Sequence, residues 1–112
     1  MTLKTLDLLS LCAGIARLPG LRYLNVVQCK WLALTLHGPK EVAEHAEDLQ
    51  AMRGPVFLFF VLLVPEGKSF ASFSDEVKRS LPEVPRAWAV SLSAFPEGSP
   101  PRFAEFAGSF DI

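Results

Sequence analysis

The sequence lacks an excess of charge of either sign, and it lacks a long hydrophobic run. Its 11 basic and 12 acidic residues give a formal net charge of −1. The basic residues are scattered, so nothing predicts the basic surface that nucleic acid or anionic lipid requires. The apolar run from Val56 to Val64 is far shorter than the ~20 residues that cross a bilayer as a helix. We therefore expect no nucleic-acid partner and no membrane span.

Cysteine is scarce, because only Cys12 and Cys29 are present. Residues 6–16 resemble the apolar part of a signal peptide, but Asp7 lies inside that run. The residue before Cys12 is Leu11, where a lipoprotein signal has a small residue. We therefore predict a cytoplasmic protein in which both cysteines are reduced and pack as small hydrophobic residues, with a disulfide as the alternative.

The common signatures of enzymes and metal sites are also missing. The sequence contains no glycine-rich phosphate-binding loop and no serine in a Gly-x-Ser-x-Gly turn. Its cysteines and its two histidines, His37 and His45, do not have the paired short spacings of a zinc site. The sequence therefore predicts a non-catalytic protein with no metal and no cofactor.

Apolar side chains, in contrast, are abundant and make up 50% of the 112 residues. This length and composition predict one globular domain, residues 1–112, with a sizeable hydrophobic core. On so small a body, surplus apolar surface usually marks a face that binds a partner. We therefore expect a protein partner, with a homodimer or another homo-oligomer as one form of that binding.

Pro55 to Val64 is the segment around which the other elements are arranged. The segment has no polar side chain and is bounded by prolines and glycines, a pattern typical of a strand that is covered on both faces. Periodicity predicts helices at residues 3–18, 40–53 and 70–81 and a strand at residues 87–92. Residues 21–36 form either two strands or one long bent strand.

Strand, turn and helix follow one another three times along the chain. The strands at residues 31–36, 55–64 and 87–92 each lead into a turn. Pro96-Glu97-Gly98 followed by Phe103-Ala104-Glu105-Phe106 echoes Pro65-Glu66-Gly67 followed by Phe70-Ala71-Ser72-Phe73, and this repeat predicts a short final helix. Successive units of this kind predict neighbouring parallel strands joined by right-handed crossovers. The expected fold is an α/β domain with a small sheet of about four strands, at least partly parallel, with helices packed on it.

The order of these elements is similar to that of the STAS domain, the fold of anti-sigma-factor antagonists. The resemblance covers residues 22–95 and implies a β-α-β-α-β-α arrangement. In that family, the loop after the central strand carries an Asp and a phosphorylatable Ser that begins the next helix. The matching segment, Val64-Pro65-Glu66-Gly67-Lys68-Ser69-Phe70, has no Asp. The resemblance implies a regulatory module that binds another protein, with Ser69 or Ser72 as the matching serine.

A parallel sheet would bring the carboxyl ends of its strands to one edge, where ligands of open α/β sheets bind. Ser69 would begin a helix there, where backbone amides favour a phosphoryl group, although Ser is also a common helix cap. The candidate residues for ligand binding or phosphorylation are His37, Lys40, Glu66, Lys68, Ser69, Ser72 and Glu97.

The sequence thus predicts a non-catalytic protein-binding or regulatory module of STAS-like type. Residues 101–112 form a possible docking tail, in which Phe103, Phe106 and Phe110 either present an aromatic stripe to a partner or complete the core. One alternative is a small-molecule or nucleotide-binding protein that uses the carboxyl edge of the sheet. Another is a small inhibitor or immunity protein.

Overall fold

The computed structural model describes residues 7–28, 32–81, 89–92 and 102–112. In chain order, the elements are α1 (Leu8–Ala16), β1 (Leu21–Gln28), β2 (Leu32–Leu36), α2 (Gly38–Glu44), α3 (Ala46–Ala51), β3 (Pro55–Leu63), α4 (Phe70–Ser80), β4 (Ala89–Leu92) and β5 (Phe103–Asp111). The strands form one sheet in the order β2-β1-β3-β5-β4. All four neighbouring pairs are antiparallel.

The expectation of an at least partly parallel sheet is therefore wrong. β2, β3 and β4 do run in the same direction, and β3 is the middle strand, but no two of them are neighbours. β1 lies between β2 and β3, and β5 lies between β3 and β4. A helical crossover returns the chain in the same direction whether or not it skips a position in the sheet. Here each crossover skips one position, which an antiparallel strand occupies.

The predicted final helix is also wrong, because Phe103–Asp111 is the strand β5. Its buried and half-buried residues alternate strictly, as they do in a strand with one covered face. Phe106 and Phe110 are only 0% and 4% exposed, and both belong to the core. Phe103 points to the opposite face. These three residues therefore do not form an aromatic stripe for a partner.

Two further segments differ from the sequence predictions in detail. Residues 21–36 contain two strands, which form the hairpin β1–β2 and so settle that alternative. The helix predicted at residues 40–53 is divided at His45, which leaves helical geometry with φ −100° and ψ 19°. The His45 Nδ1 atom lies 3.1 Å from Oδ2 of Asp48, in the first turn of α3.

One hydrophobic core lies between the helices and one face of the sheet. Leu24 and Val26 of β1 and the even-numbered residues of β3 and β5 point into it, and Phe60 and Phe106 stack there with ring centroids 5.0 Å apart. All four helices contribute to the same core. Their buried residues include Leu8, Leu11, Cys12 and Ile15 of α1, Val42 of α2, Leu49 of α3, and Phe73 and Val77 of α4. Because all these helices share one side of the sheet, the odd-numbered strand residues lie on the other side.

Candidate protein-binding face

The side of the sheet opposite this core carries an apolar strip along β3. We call this side the open face. Its central residues are Phe57, Phe59, Val61 and Leu63 of β3, flanked by Tyr23, Asn25 and Val27 of β1 and by Phe103, Glu105, Ala107 and Ser109 of β5. Phe57 is 42% exposed, whereas Val61 is 5% exposed. The prediction that β3 is covered on both faces is therefore wrong at Phe57.

The side chains of the open face form rows that run across the strands, because residues opposite each other in an antiparallel pair share a face. The pairing places Thr35, Asn25, Phe59 and Ala107 in one row that crosses β2, β1, β3 and β5. Two of these residues are the midpoints of nine-residue strands, Phe59 in β3 and Ala107 in β5. We call this set the middle row.

A β-bulge shapes one end of the open face. Leu21 pairs with Leu62 and Tyr23 pairs with Val61, so Arg22 is the extra residue of β1 at that point. The Arg22 guanidinium lies over the Phe103 ring, 5.6 Å from its centroid, and therefore reaches across β3 to β5. This cation–π contact puts an exposed positive charge on the open face. We call this the Arg22 end.

The opposite end of the face carries a negative charge. Asp111, the last residue of β5, is exposed and lies opposite Pro55, the first residue of β3. A groove of about 370 Å³ opens here, lined by Val27, Pro55, Val56, Phe57, Ser109, Phe110 and Asp111. We call this the Asp111 end. The open face therefore carries Arg22 at one end and Asp111 at the other, while Glu105 of β5 lies opposite Val61 on the Arg22 side of the middle row.

The middle row contains a polar group with no partner. The Oδ1 atom of Asn25 is buried and accepts no hydrogen bond, although the Asn25 side chain as a whole is partly exposed. Leaving a buried acceptor unsatisfied costs about 1–3 kcal/mol. Its neighbours across the strands are Phe59 and Thr35. A molecule bound to the open face reaches this amide oxygen only after rotation about the Asn25 Cβ–Cγ bond.

Most of the predicted ligand-binding residues lie at the edge of the sheet that is formed by the carboxyl ends of β2 and β3. Because β2 and β3 run in the same direction, His37 and the segment from Glu66 to Ser69 follow strand ends at that edge. The His37 ring is 6.4 Å from that of Tyr23. Lys40 and Ser72 are exposed on α2 and α4, and Glu97 lies outside the described residues.

Several of the polar groups at that edge already have structural partners. The Ser69 hydroxyl accepts a hydrogen bond from the Ser72 backbone N–H at 3.2 Å, which caps α4. The Lys68 ammonium group pairs with the Glu76 carboxylate. Arg102 donates to the Lys68 carbonyl oxygen at 2.9 Å and lies over the Phe70 ring, 5.1 Å from its centroid. These contacts join the β3–α4 loop to the start of β5, so we interpret this edge as structural.

A second cleft, of about 480 Å³, lies between α1 and α3, and Asp7, Leu8, Leu49, Gln50, Met52, Arg53 and Ile112 line it. Its two charged groups are engaged within the fold. The Asp7 carboxylate caps α1 by accepting from the Leu9 backbone N–H at 3.0 Å, and Arg53 donates to the Gln50 and Met52 carbonyl oxygens. Both charged groups therefore have structural roles.

Cys12 is a free thiol at the buried face of α1. Burial, together with the nearby charge of Asp7, raises the pKa of the Cys12 thiol to about 12. The thiol therefore stays protonated at neutral pH, and only the thiolate is an effective nucleophile. Cys12 acts as a small core residue.

Comparisons with protein-family models, with curated proteins and with solved structures find no significant match to this chain. The resemblance to the STAS domain therefore stays a prediction. In the part of the chain that the structure describes, no helix is long and apolar enough to span a bilayer.

The pattern of β3 alone does not indicate the open face, because every residue of that strand is apolar. A usable signal lies in the flanking strands. In β1 and β5, buried even-numbered residues such as Leu24 and Phe106 alternate with less buried odd-numbered ones such as Asn25 and Glu105. That period of two indicates one covered and one uncovered face.

Proposed function

We propose that this protein is a non-catalytic binding module that engages a protein partner through the open face of its sheet. The observation that carries the proposal is Phe57, which is 42% exposed beside the half-buried Phe59 on the central strand. Isolated exposed apolar residues are common, but Phe57 adjoins the half-buried Phe59 and lines a groove that also contains Ser109 and Asp111, and an apolar surface rimmed by polar groups is typical of a protein-binding site.

The energetics favour covering this strip. Fully burying a Phe side chain contributes about 1.5–3 kcal/mol relative to leaving it exposed, and Phe57 still has part of that contribution to gain. Arg22 and Asp111 at the two ends supply charges that orient a partner. A regulatory module, an inhibitor and an immunity protein would all use this kind of surface.

Site-specific photocrosslinking tests the proposal. A photoreactive phenylalanine analogue at position 57 is expected to capture a protein in cells, because the native ring lies exposed within the apolar strip. The matched control carries the same analogue at position 40, because Lys40 is exposed on α2, away from the open face. Capture of the same proteins in equal amounts at both positions, or no capture at position 57, would refute a binding role for the open face.

A further inference from the structure

We propose that the partner on the open face is a second copy of this chain, packed face to face about a two-fold axis that runs across the strands along the middle row. This inference rests on the proposed use of the open face. It adds the identity of the partner and the geometry of the pair.

Two simple orientations of the axis bring two identical open faces together. An axis parallel to β3 would place β1 of one copy over β5 of the other, with like ends of the two faces meeting. An axis along the middle row places each strand over its own counterpart with the direction reversed, so the Arg22 end meets the Asp111 end. Both keep the strands of the two sheets nearly aligned, as packed sheets require. The side chains on the face distinguish them.

Asn25 favours the axis along the middle row. With that axis, Asn25 meets Asn25 of the second copy, and the two amides can supply both donor and acceptor to each other. Each side chain extends about 3.5 Å from its Cα, so two of them and one hydrogen bond span about 10 Å, the usual separation of packed sheets. Rotation about the Cβ–Cγ bond lets either the oxygen or the nitrogen face the partner. With the other axis, Asn25 meets Ala107, whose methyl group offers no donor.

The charges favour the same axis. Phe103 and Asp111 lie four residues on either side of Ala107 in β5. Reversal about Ala107 therefore places Asp111 of the second copy above Phe103, where the Arg22 guanidinium already lies. The dimer would contain this Arg22–Asp111 pair twice. An axis parallel to β3 would instead bring the two Arg22 ends together and the two Asp111 ends together, so no Arg22–Asp111 pair would form.

The apolar strip and the size of the face fit such a pair. Phe59 meets its counterpart, and Phe57 meets Val61, because these two residues lie symmetrically about the middle row. With strands that rise about 3.4 Å per residue and lie about 4.8 Å apart, the face measures roughly 600 Å². Two such footprints total about 1,200 Å², which is comparable to the ~1,000 Å² expected of a specific interface, although recessed residues such as Val61, 5% exposed, contribute little of it.

The oligomeric state of the purified protein is the first test. Analytical ultracentrifugation over a concentration series is expected to show a dimer, with a dissociation constant about 100-fold higher for Phe57→Asp and unchanged for the control Lys40→Glu. If the wild-type protein is monomeric at every concentration, the partner is not a second copy of this chain. Photocrosslinking at position 57 would then still test the proposed function. A dimer that Phe57→Asp leaves intact would contradict the use of the open face itself.

A charge exchange tests the direction of packing. Arg22→Asp and Asp111→Arg are each expected to raise the dissociation constant about tenfold, because each places like charges together in both symmetry-related pairs. The double variant restores opposite charges and is expected to recover most of the lost affinity. If each single variant weakens the dimer and the double variant recovers none of the lost affinity, the axis along the middle row is wrong.

Crosslinking supplies a second readout that does not depend on charge. Ala107→Cys lies on the proposed axis, so a short bifunctional thiol reagent is expected to join two copies. Ser109→Cys, on the same strand and the same face, lies about 14 Å along the strands from its counterpart and should not be joined. Equal crosslinking of both variants is the result expected of an axis parallel to β3, and it would overturn the proposal. The unsubstituted protein measures the contribution of the native cysteines.

Discussion

The contrast between Phe106 and Phe103 gives the most direct test of how β5 is built into the fold. Phe106 is fully buried and stacks on Phe60 with ring planes 11° apart. Truncation of a buried Phe to Ala costs about 3–5 kcal/mol, through lost burial and the cavity that remains. Since a domain of this size has a total stability of about 5–15 kcal/mol, we expect Phe106→Ala to lower the Tm by roughly 15–25 °C.

Phe103→Ala is the matched control, because it makes the same change on the same strand but on the open face. Phe103 is half-buried and contacts the Arg22 guanidinium, so its loss is expected to cost only about 1 kcal/mol. Urea denaturation followed by circular dichroism measures both variants. Both are compared at one protein concentration, because self-association would make the apparent stability depend on it. Equal destabilisation by the two substitutions would refute the assignment of Phe106 to the core and Phe103 to the open face.

Three further predictions concern single residues. Because the pKa of Cys12 is raised from 9.0 to about 12, the folded protein holds this proton more tightly than the unfolded chain does. The free energy of unfolding should therefore fall as pH rises from about 9 to about 12. In Cys12→Ala, the share of this decrease that comes from the thiol should be absent. A pH profile of stability identical to that of the wild type would contradict the prediction. Ser69→Ala should cost about 1 kcal/mol in urea denaturation, whereas Ser69→Asp keeps a capping oxygen and should cost less. Gly20→Ala should cost about 2 kcal/mol in the same assay, since Gly20 has φ +81° and an added Cβ would lie 2.9 Å from the Leu63 carbonyl oxygen. Wild-type stability in the Gly20 variant would show that this turn can relax.

The sequence predicted the direction of three strands but not their neighbours. The helices before β3 and β4 return the chain so that these strands run parallel to β2, as the strand-turn-helix pattern indicated. Nothing in that pattern reports whether a crossover skips a position in the sheet. The skipped positions are filled by β1 and β5, and β5 was predicted as a helix because Phe103-Ala104-Glu105-Phe106 echoes Phe70-Ala71-Ser72-Phe73, the start of α4. Its true period of two is partly hidden, because the buried residues between the aromatic ones include the small Ala104 and Gly108.

The candidate site was hidden by the same feature that made β3 easy to recognise. A strand that is apolar throughout is expected when both of its faces are covered within the fold. The same pattern is expected when one face is covered and the other binds a partner. Only the pairing register shows that Arg22, Asn25 and Asp111 lie around Phe57 and Phe59. These residues are separated by up to 89 positions in the chain, so no local pattern joins them.

The central position of β3 also has a consequence for how the chain reaches its folded state. Phe59 pairs on one side with Asn25 and on the other with Ala107, so both neighbours of β3 are distant in sequence. Non-local pairing of this kind slows folding. During synthesis, one edge of this wholly apolar strand stays without its hydrogen-bonding partner until residues 103–111 leave the ribosome. That interval is when the nascent protein is most exposed to aggregation and has the greatest need of a chaperone.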